Sequence, residues 1–555
     1  MRKVIWTCWF QGQANAPELV RKCLTSWKDK NPGWDFRCLD ARTALRYAPF
    51  LANIDLNSRT LTAASLSDIL RISLLHEFGG VWADATVFCN RPIDEWLPPL
   101  FGEGFFAFDR PAPGRMLSSW FLAAEPGCPA IAEWARAVYD YWSARETADD
   151  YFWFHRLFQS VCESNLRVAR LWERVPKISA DGPHRIQHLG MLSDAATTAP
   201  AVDWSTPCFK LTYRYDQAAA GPDCLLRRLI GLDDAPPRNE ERPGEEAPAR
   251  DPSDLASLSV STENLGDHIQ AQAGLELLAR FGLSPRIALD RDFELRSAPG
   301  LDPERSHPIL LNGWFKRDSS EWPPHPRLEP IFLGFHIRLF QSPSLMSGES
   351  LAYYRAHQPI GCRDRHTAQL LSANGVEAYE SHCLTLTFPR RVRAASQAEV
   401  FVVSRDERLL QALPASLGPF TSLLHYTGDT DFARNLARAR KLLEVYRDRA
   451  RLIVTSLLHC AMPALALGIP VVMFYPMNSP EGHASDRERF SSLENLIRIW
   501  RFDEMDDVDW SPVPPDVGAI KLALIDDLSA RLETMGLGGV RTLGPIAEAS
   551  VLPAP

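Results

Sequence analysis

Residues 61–88 read LTAASLSDILRISLLHEFGGVWADATVF, and the two halves of this stretch carry different periods. In the first half Leu66, Ile69, Leu70, Ser73 and Leu74 recur at helical spacing, which predicts a helix over 61–78 closed by Gly79 and Gly80. In the second half Val81, Ala83, Ala85 and Val87 alternate with Trp82, Asp84, Thr86 and Phe88, which predicts one strand over 81–88. A helix running directly into a strand is the building unit of an α/β domain. Upstream, residues 4–9 read as a strand and 17–30 as a helix ended by Asn31, Pro32 and Gly33, so the pattern begins near the N-terminus.

The same alternation continues far downstream. Strands are expected over 258–262, 308–311, 330–336, 400–403, 451–455 and 470–474. Helices are expected over 266–282, 348–357, 364–374 and 433–448. Strands alternating with helices predict parallel sheets, here arranged as two Rossmann-like lobes with a cleft between them. Between the two halves, DDAPPRNEERPGEEAPARDPSD (233–254) has many prolines and acids and almost no large apolar side chain. Such a composition is that of a solvated linker. It divides the chain into domains over 1–232 and 255–555, and limited proteolysis is expected to cut there first.

Composition excludes several classes. A chain of 555 residues is too long for one hydrophobic core. Its apolar fraction of 45% and charged fraction of 23% are those of folded domains. The net charge of -9 speaks against a nucleic-acid binder and against a polybasic membrane anchor. The 11 cysteines include no C-x-x-C pair, which points to reduced thiols and a cytoplasmic location. Gln11 interrupts the first apolar run before it reaches signal-peptide length. The apolar stretch 452–476 has the length of a membrane span, but His459, Pro463, Gly468 and Pro470 break it into strand, turn, helix and strand.

Asp68 and Arg71 stand at i and i+3 of the predicted helix and share a face, next to Asp84 on the strand. A sugar nucleotide carries a diphosphate, which a metal held by a strand carboxylate, or a planar guanidinium, can stabilise. Spacing alone favours a structural Asp68–Arg71 ion pair, with Asp84 ending a strand. Six blocks in order add to this: IWTCWFQG (5–12), SDILR (67–71), FGGVWADATVF (78–88), FFAFDRP (105–111), SSWF (118–121) and DYFWFH (150–155). Together they resemble the capsular polysaccharide synthesis glycosyltransferases, similar to sugar transferases with S-D-x-x-R and a D-x-D motif after two glycines.

The resemblance implies a GT-A fold, a nucleotide sugar donor, Mn²⁺ or Mg²⁺, and retention of anomeric configuration. It places Trp6, Asp68, Arg71, Asp84, Thr86 and Asp109 at the donor. Thr86 stands where the second acid of the motif is expected, so the metal set is drawn from Asp84, Thr86 and, from a later loop, His184. His184 reads equally as a surface-loop histidine. Asp150 is the candidate for acceptor binding or base chemistry, or else the N-cap of a helix over 151–163.

In the C-terminal half, Arg363 offers a planar cation and His459 a group that can give up a proton near neutral pH. Without context, an arginine beside Asp364 reads as an ion pair and a histidine in an apolar run as a core residue. The blocks ENLGDHIQ (263–270), DRDFE (290–294), ILLNGWF (309–315), GCRDRHT (361–367), HCLTLTF (382–388) and TSLLHCAMPALALGIPVV (455–472) resemble the polysaccharide pyruvyl transferases.

That resemblance implies a GT-B-like pair of lobes, phosphoenolpyruvate as donor and a glycan or lipid-linked oligosaccharide as acceptor, with peripheral association with membrane assembly machinery. It gives catalytic roles to Arg363 and His459 and donor-binding roles to Gly266, Asp267 and Arg291. Leu457 stands where an arginine is expected, and Arg451, Arg405 or Arg291 are the candidates to compensate. The whole chain then reads as a bifunctional enzyme. The alternative is a glycosyltransferase whose C-terminal domain binds glycan or uses another donor.

Overall fold

A computed structural model describes residues 1–52, 61–216, 219–231, 250–315, 321–338, 342–392, 398–404, 406–476 and 488–538. These form two compact units, one from the described residues up to 231 and the other from those between 250 and 538. The stretch 233–254 lies, as far as 249, outside the described residues, as does Arg405.

The first unit has seven strands: β1 (Val4–Cys8), β2 (Asp35–Leu39), β3 (Gly80–Ala83), β4 (Val87–Cys89), β5 (Phe105–Asp109), β6 (Leu117–Ala124) and β7 (Cys208–Lys210). Five of them make a mixed sheet in the order β2-β1-β3-β6-β5, with β1, β2 and β3 parallel and β6 antiparallel to β3 and β5. Strands β4 and β7 pair antiparallel in a separate two-stranded sheet. The strand expected over 81–88 is therefore two strands in different sheets. The break is a tight turn in which the Val87 amide donates to the Asp84 carbonyl at 2.8 Å, while the Asp84 amide donates to the Trp120 carbonyl at 2.9 Å. Asp84 thus sits where the chain leaves one sheet for another, not in the middle of a ladder.

The helix ahead of it spans Ala63–Phe78 and is capped by Thr62, whose side chain accepts from the Ser65 amide. Its periodicity predicts one buried face, yet residues on all its sides are buried, including Asp68, Arg71, His76 and Glu77. Polar groups in such a helix must find partners inside the protein. Gly79 and Gly80, at φ 67° and 96°, make the turn into β3. A Cβ on Gly80 would stand 2.4 Å from Val4 Cγ1, so only glycine lets β3 lie against β1.

The second unit holds two sheets, both wholly parallel. The first contains β8 (Ala256–Ser259), β9 (Ile287–Asp290), β10 (His307–Trp314), β11 (Leu328–His336), β12 (Ile360–Cys362) and β13 (Ala378–Glu380), in the order β13-β12-β11-β10-β8-β9. The second contains β14 (Glu399–Val403), β15 (Phe420–Leu423), β16 (Ala450–Thr455), β17 (Val471–Phe474) and β18 (Ile499–Trp500), in the order β15-β14-β16-β17-β18. The α/β class with parallel sheets is thus present as the alternation of periods implies. The helix Leu265–Arg280 packs on β8 and β10 and also on the helices Phe432–Arg449 and Leu458–Ala466. The apolar stretch 452–476 is β16, the short helix Leu458–Ala466 and β17. Among the described residues no helix is long and apolar enough to cross a membrane.

Candidate active sites

The turn between β3 and β4 carries the first site. Asp84 Oδ1 accepts from Arg71 Nη2 at 3.1 Å and from Trp82 Nε1 at 2.9 Å. Its Oδ2 accepts from Lys210 Nζ at 2.9 Å, and the same ammonium donates to Thr86 Oγ1 at 2.7 Å. Lys210 reaches this position because β7 pairs with β4 in the register Val87↔Lys210, and because its neighbours Phe209 and Leu211 are locked in the core at 0% and 1% exposure. Burial pushes the Asp84 carboxyl up, but Lys210 and Arg71 outweigh it and hold the pKa at about 2. Asp84 is an anion at any physiological pH.

Arg71 is spent inside the protein. Besides Asp84 it contacts Asp68 at 3.1 Å, the Ser119 carbonyl at 2.7 Å, and the carbonyl and hydroxyl of Ser67. Its guanidinium lies over Trp82, and only 5% of its side chain is exposed. It braces Asp84 and has little left for a phosphate. For Asp68 the balance falls the other way: burial raises its pKa to about 7 against the pull of Arg71, and the charge of Asp84 adds to the rise.

In the second unit Arg363 follows β12 and donates from Nη1 to His459 Nε2 at 3.4 Å. His459 lies at a kink in its helix, with φ -83° and ψ 17°, a backbone region often used by active-site residues. Gly266, at the start of Leu265–Arg280, leaves room for it: a Cβ there would meet His459 Cβ at 3.2 Å. Asp364 accepts from the Thr367 amide at 2.9 Å through Oδ1, while Oδ2 bonds His336 Nδ1 at 2.6 Å. Arg363 Nε stands 3.9 Å from that carboxylate, too far for a hydrogen bond. His336 Nε2 is buried with no protein partner.

Burial first, then Arg363 and Arg489, push the His459 pKa well below the ordinary histidine range. Burial and then Arg363 lower His336 to about 4, partly opposed by Asp364. Both imidazoles are neutral at pH 7.

Residues 1–228 match the family described as capsular polysaccharide synthesis protein, and residues 264–478 match polysaccharide pyruvyl transferase. The chain joins a capsular polysaccharide synthesis domain to a polysaccharide pyruvyl transferase domain.

It is similar to an O-glycosyltransferase, braB, of Annulohypoxylon truncatum, 28% identical over 25% of this chain and 38% of that protein. It is also similar to the glycosyltransferase afumC of Aspergillus fumigatus, 29% identical over 16% of this chain and 26% of that protein. The chain thus spans well under half the length of these relatives. The solved structure of PaToxG glycosyltransferase aligns over 31% of this chain and 75% of its own, at 17% identity and a TM-score of 0.22. Of the two matched families, the one over residues 264–478 is described as a transferase.

In the capsular polysaccharide synthesis domain the fold brings together Asp68, Arg71, Asp84 and Thr86, with His184 near enough for the Lys210 charge to act on it, whereas Trp6, Asp109 and Asp150 are engaged elsewhere. Trp6 is fully buried, with Nε1 on the Gly79 carbonyl at 3.1 Å and its rings against Tyr47 and Phe78, so it is a core brace and touches no donor. Its place in the middle of β1, under the helix Ala63–Phe78, decides this. Asp109, at the end of β5, is tied by its amide to the Ile178 carbonyl and by its carboxylate to Arg110.

Asp150 is neither a free base nor the N-cap of the following helix, a place that Phe152 holds. Its oxygens take the Phe152 amide at 2.6 Å and Arg156 at 2.9 Å, ahead of a helix that begins at Trp153. His184 is held by Trp120 and by Gln187, in the helix Asp181–Leu189 and not in a loop. The residues do not fit a divalent ion. Asp84 and Thr86 offer one carboxylate and one hydroxyl, an ammonium already bridges them, the Asp68 carboxylate is paired with Arg71, and no three His, Cys, Asp or Glu converge among the described residues.

Two residues of this site were not legible in the sequence. Lys210 is 126 residues from Asp84, and no local pattern marks it. His155, in the quoted block DYFWFH, is half-buried with Nδ1 unpartnered, and burial followed by Arg71 and Arg115 lowers its pKa to about 3.

In the polysaccharide pyruvyl transferase domain Arg363, His459 and Gly266 come together. Asp267 and Arg291 form a buried pair at 3.7 Å, with Arg291 also held by Asp292 and lying over Trp314. These two shape the site without offering it a free charge. Arg451 cannot replace the arginine missing at Leu457, because its guanidinium is tied to the Leu417 carbonyl. Arg489, which lowers His459, is the cation that stands near. His336 is the residue missed here, although it ends β11 in GFHIR (334–338), where ligand-facing residues of parallel sheets gather.

Proposed function

We propose that this chain is a bifunctional enzyme of bacterial capsule or exopolysaccharide synthesis, acting in the cytoplasm. Its N-terminal domain, read as GT-A-like, transfers a sugar from a nucleotide sugar to a glycan or lipid-linked acceptor with retention. Its C-terminal domain, read as GT-B-like, transfers pyruvate from phosphoenolpyruvate to a sugar as a cyclic ketal. The observation that carries the reading is the presence of two separately built charged sites, Asp84–Lys210 in one unit and Arg363–His459 in the other.

In the second site the donor is strongly anionic, and the free domain holds a buried guanidinium whose nearest carboxylate is bonded to His336 instead. Arg363 is suited to hold the carboxylate or phosphate of phosphoenolpyruvate. The reaction needs a proton on the methylene carbon, sugar hydroxyls adding at the neighbouring carbon, and phosphate leaving. His459, neutral in the free enzyme, becomes a proton donor when the anionic donor raises its affinity for a proton. Leu457 favours a second reading, in which this domain takes another donor or only binds glycan.

The test is a mass-spectrometric screen of the full chain against nucleotide sugars and phosphoenolpyruvate with glycan acceptors. A hexosyl mass gain abolished by Asp84→Ala, and a pyruvyl gain with phosphate release abolished by His459→Ala, are expected. Sugar transfer without any pyruvyl gain hands the C-terminal domain to the second reading. Neither gain, from a folded chain, rejects the enzyme assignment.

A further inference from the structure

We infer that Lys210 supplies, in place of a divalent metal ion, the positive charge that meets the donor diphosphate in the first unit. This rests on the nucleotide-sugar reading above. In a D-x-D site two carboxylates and a divalent ion sum to neutrality. Here the second acid is Thr86, and one carboxylate, one hydroxyl and one ammonium also sum to neutrality. Thr86 in the place of a second acid and Lys210 in the place of the metal keep the same charge balance.

Geometry supports the assignment. Lys210 Nζ lies 2.9 Å from Asp84 Oδ2 and 2.7 Å from Thr86 Oγ1, so it bridges the two side chains that would otherwise chelate the metal. A cation entering the same gap would face the ammonium at close range, and like charges there repel strongly. The other Asp84 oxygen is no better placed, because Arg71 and Trp82 both donate to it.

The ammonium also has capacity to spare. A lysine has three N–H donors, and two are used here, with no third bond to any described residue. Its side chain keeps 18% exposure, so an incoming phosphate oxygen can take the remaining donor. Arg71 cannot compete for that role, since its donors end on Asp68, Ser67, Ser119 and Asp84. The β4–β7 ladder, together with the Leu211 amide on the Thr86 carbonyl at 2.9 Å, fixes the lysine backbone beside the turn. Asp84 and Thr86 therefore orient an organic cation that needs no loading step.

The test is calorimetric titration of the full-length protein with UDP, GDP and CDP, once in EDTA and once in excess MnCl₂, with Mn²⁺ followed by electron paramagnetic resonance. Whichever diphosphate binds is expected to do so with Kd values within about twofold in the two buffers, with the Mn²⁺ signal remaining that of the free ion. Lys210→Met should weaken binding about tenfold or more, and Lys210→Arg, which keeps the charge, should restore most of it. Binding that appears only with Mn²⁺, or a folded Lys210→Met variant that binds as wild type does, overturns the inference and leaves the nucleotide-sugar reading standing. Should Lys210→Met not fold, the wild-type comparison of EDTA with MnCl₂ still decides. Absence of binding by all three diphosphates in both buffers overturns that reading and this inference together.

Discussion

The two sites differ in how their charge is balanced and how far water reaches them. Asp84 and Lys210 keep 23% and 18% of their side chains exposed, whereas Arg363, His336 and Asp364 keep 2%, 2% and 0%. In the first site each charge has an opposite within hydrogen-bonding range, so the group is stable partly hydrated and a ligand meets one spare donor. In the second, the buried guanidinium faces the Asp364 carboxylate at 3.9 Å, beyond hydrogen-bonding range, so its Nε has no hydrogen-bond partner in a dry place. A buried, poorly paired charge is costly and is relieved by an anion. The first site should therefore tolerate electrostatic changes better than the second.

The largest effect is expected from Arg363→Ala, a loss of about 10³ in pyruvyl transfer with sugar transfer unchanged, since a preorganised donor in a dry site is removed. Steady-state rates of both transfers on one preparation measure this, and equal loss of both would merge the two sites into one function. Asp84→Ala comes next, with a loss of about 10² in sugar transfer, smaller because water can enter and partly replace the carboxylate. Retention of full turnover with the best donor would show the Asp84 site to be misassigned.

A third difference lies in pH. His459 is unprotonated in the free enzyme, so kcat/KM for phosphoenolpyruvate should climb by up to about tenfold per unit as pH falls from about 7 to about 5. A profile level across that range would remove His459 as the acid.

The fourth concerns stability. The Asp68 pKa is raised to about 7 in the folded unit. Folding then favours its protonated form, and the contribution is fully present below the unfolded value of about 4 and lost as pH rises through about 7. Calorimetry should find the melting temperature of the first unit falling over that window, and Asp68→Asn should flatten the fall. The smallest effect is that of Trp6→Phe, which removes the bond to the Gly79 carbonyl. A cost of about 1 kcal/mol in denaturant unfolding, with donor KM unchanged, is expected of a brace. A large rise in KM instead would return Trp6 to the donor site.

Periodicity located the helix before Asp84, the strand at β1 and, in the second unit, β11, β14, β16 and β17 to within a residue or two, because amphipathic spacing is a local property of the chain, but it passed over β9, β12, β13, β15 and β18, most of them too short to show a period. It erred at 81–88, where alternation continues through the turn although the strand does not. Alternation records which residues are apolar, and here both sheets supply an apolar side. It also read one buried face where the helix Ala63–Phe78 has several, since the number of elements packed around a helix is not written in the helix itself.

The sequence by itself determined the α/β alternation, the glycine pair that turns helix into strand, and the positions of Asp84, Arg363 and His459. These follow from local backbone preference, side-chain period and short motifs. Only the tertiary structure decided that Trp6 is a brace, that Asp150 is tied to the Phe152 amide and Arg156, and that Arg71 is consumed within the protein. It also brought Lys210 to Asp84 and His336 to Asp364, across 126 and 28 residues. Such pairings are set by strand register and helix packing between distant segments, and a charged side chain shows its role only once its partners are known.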